Sequence, residues 1–173
     1  MAPLTRRSFC GSLLLLLGAG TLTSCGDEAE EPRQKIISVN QPTKLPEWLT
    51  VRDAIEPSLW LRSREVGRLV LPSDPEVDRL RRAMHQATLR FFEDQRMIAN
   101  RTAQTADMLA EAGQSERYVD IMTGMVDVAD ATVSKKAYGD MVQHYLNLRK
   151  AGMDRTAALA SLTASYKAEK SQK

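Results

Sequence analysis

The stretch that decides the fold is SDPEVDRLRRAMHQATLRFFEDQRMIANRTAQTADMLAEAG, residues 73–113. Ser73 and Glu76 have the spacing of a capping box, and Pro75 suits a first helical turn because its missing N–H would have no partner there. Between Pro75 and Gly113 no glycine or proline appears. The run predicts a helix of nearly 40 residues, roughly 55–60 Å long at 1.5 Å per residue. Val77, Leu80, Met84, Ala87, Phe91, Ile98, Thr105, Met108 and Ala112 follow steps of three and four. Asp94 and Arg101 interrupt that seam where a coiled coil would want apolar residues. Leu89, Phe92, Ala99, Ala106 and Leu109 supply a partial second face. A helix apolar on two sides wants neighbours on both. The plainer expectation is two packed helices with a kink near Asn100; the sharper one is a spine that also serves an oligomer or a partner.

On the N-terminal side, Pro46 to Ile55 reads as a short helix closed by Pro57, and Ser58 to Leu71 as another stopped by Pro72. Trp48 and Trp60 lie in this pair and read as core or interface anchors. On the C-terminal side, Gly113 ends the spine and Ser115 is placed to cap a helix whose stripe is Tyr118, Val119, Met122, Met125, Val126 and Ala129. Asp120, Asp127 and Asp130 fall mostly off that stripe and read as solvated surface. Thr132 to Lys135 is a loop. Tyr138, Met141, Val142, Tyr145, Leu146 and Arg149 mark the next helix, with Lys150 and Gly152 as its stop. Asp154 then caps a last helix bearing Ala158, Leu159, Leu162 and Tyr166, and the short link makes these two an αα-hairpin. The fold class is all-α: a helical bundle with one long central helix and a C-terminal αα-hairpin, in a single domain over residues 46–173.

The first 25 residues are of a different kind. Arg6 and Arg7 precede an apolar stretch from Phe9 to Leu22. It is shorter than the roughly 20 apolar residues that span a bilayer core, and it has the layout of a secretory signal. Thr5-Arg6-Arg7-Ser8-Phe9 resembles the twin-arginine export motif Ser/Thr-Arg-Arg-x-Phe-Leu-Lys, departing from it at Cys10 and Gly11. An ordinary Sec signal with two arginines is the alternative. Leu22-Thr23-Ser24-Cys25 resembles the bacterial lipobox. That resemblance implies removal of residues 1–24, a diacylglyceryl group on the Cys25 sulfur, and a protein held at the periplasmic face of the cell envelope by lipid. Two or three acyl chains anchor a protein stably where one does not. Gly26, where the family's inner-membrane retention signal has Asp, tips the expectation toward the outer membrane.

Residues 25–45 then read as lipidated cysteine and tether. Asp27, Glu28, Glu30 and Glu31 are acidic, Pro32 and Pro42 punctuate, and Ile36, Ile37 and Val39 suggest a short docking piece. A flexible tether of this length averages about 25 Å end to end.

Removing the signal removes two arginines and no acids, so Lys plus Arg falls from 24 to 22 against 22 Asp plus Glu. The mature charge is zero, which speaks against a nucleic-acid partner. Cys10 and Cys25 are the two cysteines, so no thiol is left for a disulfide, a thiolate metal site or catalysis. Phosphate loops, Cys-x-x-Cys, His-Glu-x-x-His and Gly-x-Ser-x-Gly are missing, and His85 and His144 are the two histidines. No catalytic residue and no cofactor are expected. The weak metal candidates are Met122 and Met125 on one helix and Met141 and His144 on the next, since thioether plus imidazole suits copper. Methionine at helical spacing is ordinarily core filler. The leading function is a non-enzymatic lipoprotein: an adaptor, assembly factor or accessory subunit that binds another envelope protein or itself. A periplasmic metal- or cofactor-handling protein is the alternative. A hydrolase acting on peptidoglycan or lipid lacks a visible acid/base pair.

Overall fold

The computed structural model describes residues 44–132 and 134–170, and among these every regular element is a helix. The signal, Cys25 and the tether through Thr43, with Ile36, Ile37 and Val39, lie outside the described residues. The helices are α1 (Pro57–Val66), α2 (Pro75–Arg90), α3 (Gln95–Glu111), α4 (Tyr118–Asp130), α5 (Tyr138–Lys150) and α6 (Arg155–Lys170). None of them is long and apolar enough to cross a membrane.

The 40-residue spine expected from residues 73–113 is two helices. The chain leaves α2 at Phe91, whose backbone is extended at φ −115° and ψ 160°. Phe91 forms an isolated parallel bridge with Lys136, in which Lys136 N–H donates to Arg90 C=O and Phe92 N–H to Lys136 C=O, both at 3.2 Å. Its buried ring meets Tyr138 edge-on, with centroids 4.9 Å apart. Asp94 then starts α3: its Oδ1 accepts from Met97 N–H at 2.7 Å, the bond expected of an N-cap. Between them Glu93 turns its carboxylate onto the start of α5 and accepts from Tyr138 N–H at 2.8 Å and Gly139 N–H at 2.9 Å. That satisfies donors which Ala137, at the N-cap of α5, has no side chain to satisfy. Asp94, which breaks the apolar seam, is thus a helix start. Asn100 marks no kink; its side-chain amide clasps Leu49, donating to Leu49 C=O and accepting from Leu49 N–H, both at 2.9 Å.

Other boundaries shift for local reasons. Residues 46–55 form no helix. Asp53 Oδ2 accepts from both Thr50 N–H and Thr50 Oγ1, an arrangement that folds the chain into a turn instead. Pro57 opens α1 rather than closing a helix before it. Gly67, at φ 72°, ends α1 well before Pro72: Gly67 N–H reaches Arg64 C=O and Arg68 N–H reaches Ser63 C=O. At α2 the cap is Asp74, not Ser73, accepting from Glu76 N–H at 2.8 Å. Ser115 caps nothing; α4 begins after Arg117, which makes no side-chain capping bond. The C-terminal hairpin agrees with its sequence signals. Gly152 takes φ 94° after α5, and Asp154 Oδ1 accepts from Ala157 N–H at 2.8 Å to start α6.

In the bundle α2 lies along α4 and α3 along α5; α1 crosses α2 and α3, and α6 covers α4 and α5. One continuous core runs through them, with Trp60, Leu61, Met84, Phe91, Ile98 and Tyr138 among its fully buried members. The two tryptophans part company. Trp60 is wholly buried, its Nε1–H donating to Pro46 C=O at 2.8 Å, whereas Trp48 remains 41% exposed. Arg64 lies over both rings, 5.7 and 5.5 Å from their centroids.

Candidate functional site

Helix α4 organises the surface of interest. Nine of its thirteen residues are buried, so it needs neighbours on most sides. One side is sealed by α6. Gly124 makes the close approach possible: a Cβ there would stand 3.0 Å from Leu159 Cδ2 and 3.3 Å from Arg155 Nη2. A polar latch secures the same seam. Glu116, whose side chain is only 7% exposed, accepts from Tyr145 Oη–H at 2.7 Å and from Arg155 Nε–H at 2.8 Å. Arg155 Nη2 also donates to Asp120 C=O. Burial, and then the bond to this carboxylate, push the Tyr145 phenol above its ordinary value. At the start of α5, Tyr138 is fully buried and shares a 2.7 Å hydrogen bond with Thr102; burial raises its phenol too.

The side of α4 that faces α2 is not sealed. A groove of about 480 Å³ follows their seam. Its floor is Ala83, Val119 and Val126, and its rims carry charge of opposite sign. Arg79, Arg82 and Gln86 edge the α2 side; Asp120, Asp127 and Asp130 edge the α4 side, with Thr123 between them. Arg79 pairs with Glu76 at 3.2 Å and Asp130 with Arg90. Arg82 and Asp127, both exposed, enter no ion pair among the described residues. From Val119 to Asp130 the α4 rim rises about 16 Å, three helical turns. Chemically the groove offers charge and a modest apolar strip, which suit it to holding a ligand.

Two smaller depressions lie elsewhere. One, of about 340 Å³, sits between Trp48 and the α3 side chains of Met97, Asn100, Arg101 and Gln104. The other, of about 270 Å³, lies beside Leu89, Arg90, Asp130 and Lys135. Phe92 is 72% exposed at the α2–α3 corner and Leu89 52% on the last turn of α2. The second apolar face expected on the long helix is therefore divided. Ala99, Ala106 and Leu109 turn into the core once the chain has turned at Phe91, while Leu89 and Phe92 stay outside.

The metal candidates separate as well. Met122, Met125 and Met141 have no exposed surface and share the core cluster, whereas His144 is half-buried with its ring tilted toward Tyr166 at 6.3 Å. Among the described residues no three His, Cys, Asp or Glu side chains come together as a metal centre would require. Arg6, Arg7, Phe9 and Cys25 lie outside those residues. The groove was not visible in the sequence as a groove. Its acidic rim was read as plain solvated surface, and the signal that pairs it with Arg79 and Arg82 is the α2–α4 packing, which one helix's periodicity does not reveal.

A family model described as MoxZ matches residues 58–167, from the first turn of α1 to near the end of α6, with both walls of the groove inside the match. No curated protein and no solved structure matches the chain.

Proposed function

The chain belongs to the MoxZ family, and we propose that it is a non-enzymatic accessory protein of the cell envelope that serves methanol oxidation. The observation that carries this reading is the unsealed α2–α4 face: an apolar floor between oppositely charged rims. Such a face serves recognition. The sequence features of residues 5–25 add the address. A twin-arginine-like signal exports the chain, and lipid on Cys25 holds it at the periplasmic face of a membrane, the outer one in preference.

Deleting the protein from cells grown on methanol tests this. The expected result is slowed methanol oxidation that returns with the wild-type chain, while the purified protein turns over no methanol itself. Unimpaired oxidation in the deletion strain would refute the reading. Palmitate labelling that disappears in Cys25→Ala is the expected mark of the anchor, and labelling that survives the substitution would remove it.

A further inference from the structure

We propose that the groove between α2 and α4 receives an amphipathic helix of a partner protein, in one direction only, with that helix's acidic edge against Arg79 and Arg82 and its basic edge against Asp120, Asp127 and Asp130. The inference rests on the accessory-protein reading and names the site and the chemistry of its partner.

The occupant is helical because of what lines the groove. Both walls are α-helices whose backbone N–H and C=O groups are bonded internally along the groove, so no free edge exists for an added strand. A segment lying there must satisfy its own backbone, as a helix does. The seam between two packed helices is also the natural seat of a third, whose ridge of side chains fits between theirs. The rim of α4 spans about 16 Å, enough for three turns.

Charge complementarity then specifies the occupant. The two rims are of opposite sign, and each leaves an exposed charge without an ion-pair partner among the described residues, Arg82 on α2 and Asp127 on α4. A helix with an apolar stripe at i, i+3 or i+4 and i+7, flanked by acids on one edge and bases on the other, meets both rims. Turning that helix end for end would exchange its edges, setting bases against Arg82 and acids against Asp127. Like charges facing across an interface disfavour the wrong arrangement, so the rims fix polarity as well as position. The floor is narrow, since Val119 and Val126 are each only 7% exposed. Binding therefore leans on the rims and weakens as salt screens them.

The experiment uses the full-length, membrane-anchored chain in its own cells. A photo-crosslinking amino acid replaces Gln86 in the groove, or Met97 beside Trp48 as a comparison position. The expected result is an adduct from position 86 with a partner segment bearing the apolar stripe and the two charged edges. That adduct falls at least ten-fold in R82E, a variant whose melting temperature matches the wild type, and returns when the segment's acidic edge is changed to lysine. Four results overturn the proposal: no adduct from position 86, an adduct with lipid or a second copy of this chain, a segment without the charge pattern, or indifference to R82E. An adduct from position 97 alone would overturn the groove while leaving the accessory reading intact. Silence at both positions combined with normal methanol oxidation in the deletion strain would remove both.

Discussion

The two sides of α4 meet their neighbours by different means. Toward α6 the surfaces are fitted by shape: Gly124 makes room for Leu159, and the Glu116 latch with Tyr145 and Arg155 lies beside that contact, largely out of water. Toward α2 a groove follows the seam, edged with exposed Arg and Asp. A surface meant for the chain's own use is satisfied within the chain. A surface edged with unpaired charge holds its interactions in reserve. If that contrast is real, substitutions on the sealed side should damage stability, and substitutions on the open side should damage binding.

The largest expected effect is on the sealed side. Leu162, fully buried on α6, has no way to re-expose itself when shortened. Leu162→Ala should cost about 2–5 kcal/mol, from lost burial and the cavity left behind. Urea unfolding of the full chain measures it. A loss under 1 kcal/mol would mean that α6 is a loosely held cover and would erase the contrast.

Gly124→Leu comes next. The nearest atoms to a new Cβ are the tips of two flexible side chains, Leu159 and Arg155. Alanine would ease in, helped by the roughly 1 kcal/mol of helix propensity that glycine forgoes. Leucine would not, and overpacking of this kind costs about 1–3 kcal/mol. Hydrogen exchange should locate the damage, with amides of α6 exchanging faster while those of α2 hold. Faster exchange in α2 as well would show that the two sides of α4 are one cooperative surface.

How much of this was legible beforehand depended on whether the deciding interaction was local. The α5–α6 hairpin was legible because Lys150, Gly152 and Asp154 act within a few residues of their targets. Gly67 was an equally local stop signal, and it outranked the more conspicuous Pro72. The break between α2 and α3 was of another sort. Asp94 can cap a helix or interrupt one, and what decides is Phe91 pairing with Lys136 and Glu93 binding the start of α5, some 45 residues downstream. A single-helix reading of residues 73–113 had no access to those partners. The groove was hidden for the same reason: Arg79, Arg82, Asp120 and Asp127 were all in view, but their juxtaposition belongs to the packing of α2 on α4. Met122, Met125 and Met141, whose spacing fitted either a metal site or a core, are completely buried members of the core cluster.

Alkaline pH sharpens the comparison by loading the sealed side selectively. Tyr145 and Tyr138 have phenols raised above the ordinary value of about 10, chiefly by burial. The unfolded chain therefore releases these protons near pH 10 while the folded chain still holds them. Stability from this source is complete below pH 10 and is lost as the pH rises beyond it. Tyr145→Phe should cost about 1 kcal/mol at neutral pH for the bond to Glu116, yet lose less on going from pH 9 to pH 11 than the wild type does. Urea midpoints across that range test the sign; an unchanged slope would mean that the latch opens before Tyr145 titrates.

The smallest effect on stability is expected on the open side, and its smallness is the point. Arg82 and Asp127 are exposed and make no ion pair among the described residues, so reversing either removes no ion pair of the described fold. Substitutions of that kind usually fall within about 0.5 kcal/mol. Arg82→Glu and Asp127→Lys should therefore melt with the wild type, and their double variant should too, while each single variant loses the groove's partner. A variant that lost binding only by unfolding would tell nothing about recognition. One that loses binding at full stability locates function on the charged rims. Should Arg82→Glu instead destabilise the chain by more than 1 kcal/mol, the rim would be bearing on the α2–α4 packing itself, and the open side of α4 would be a second sealed one.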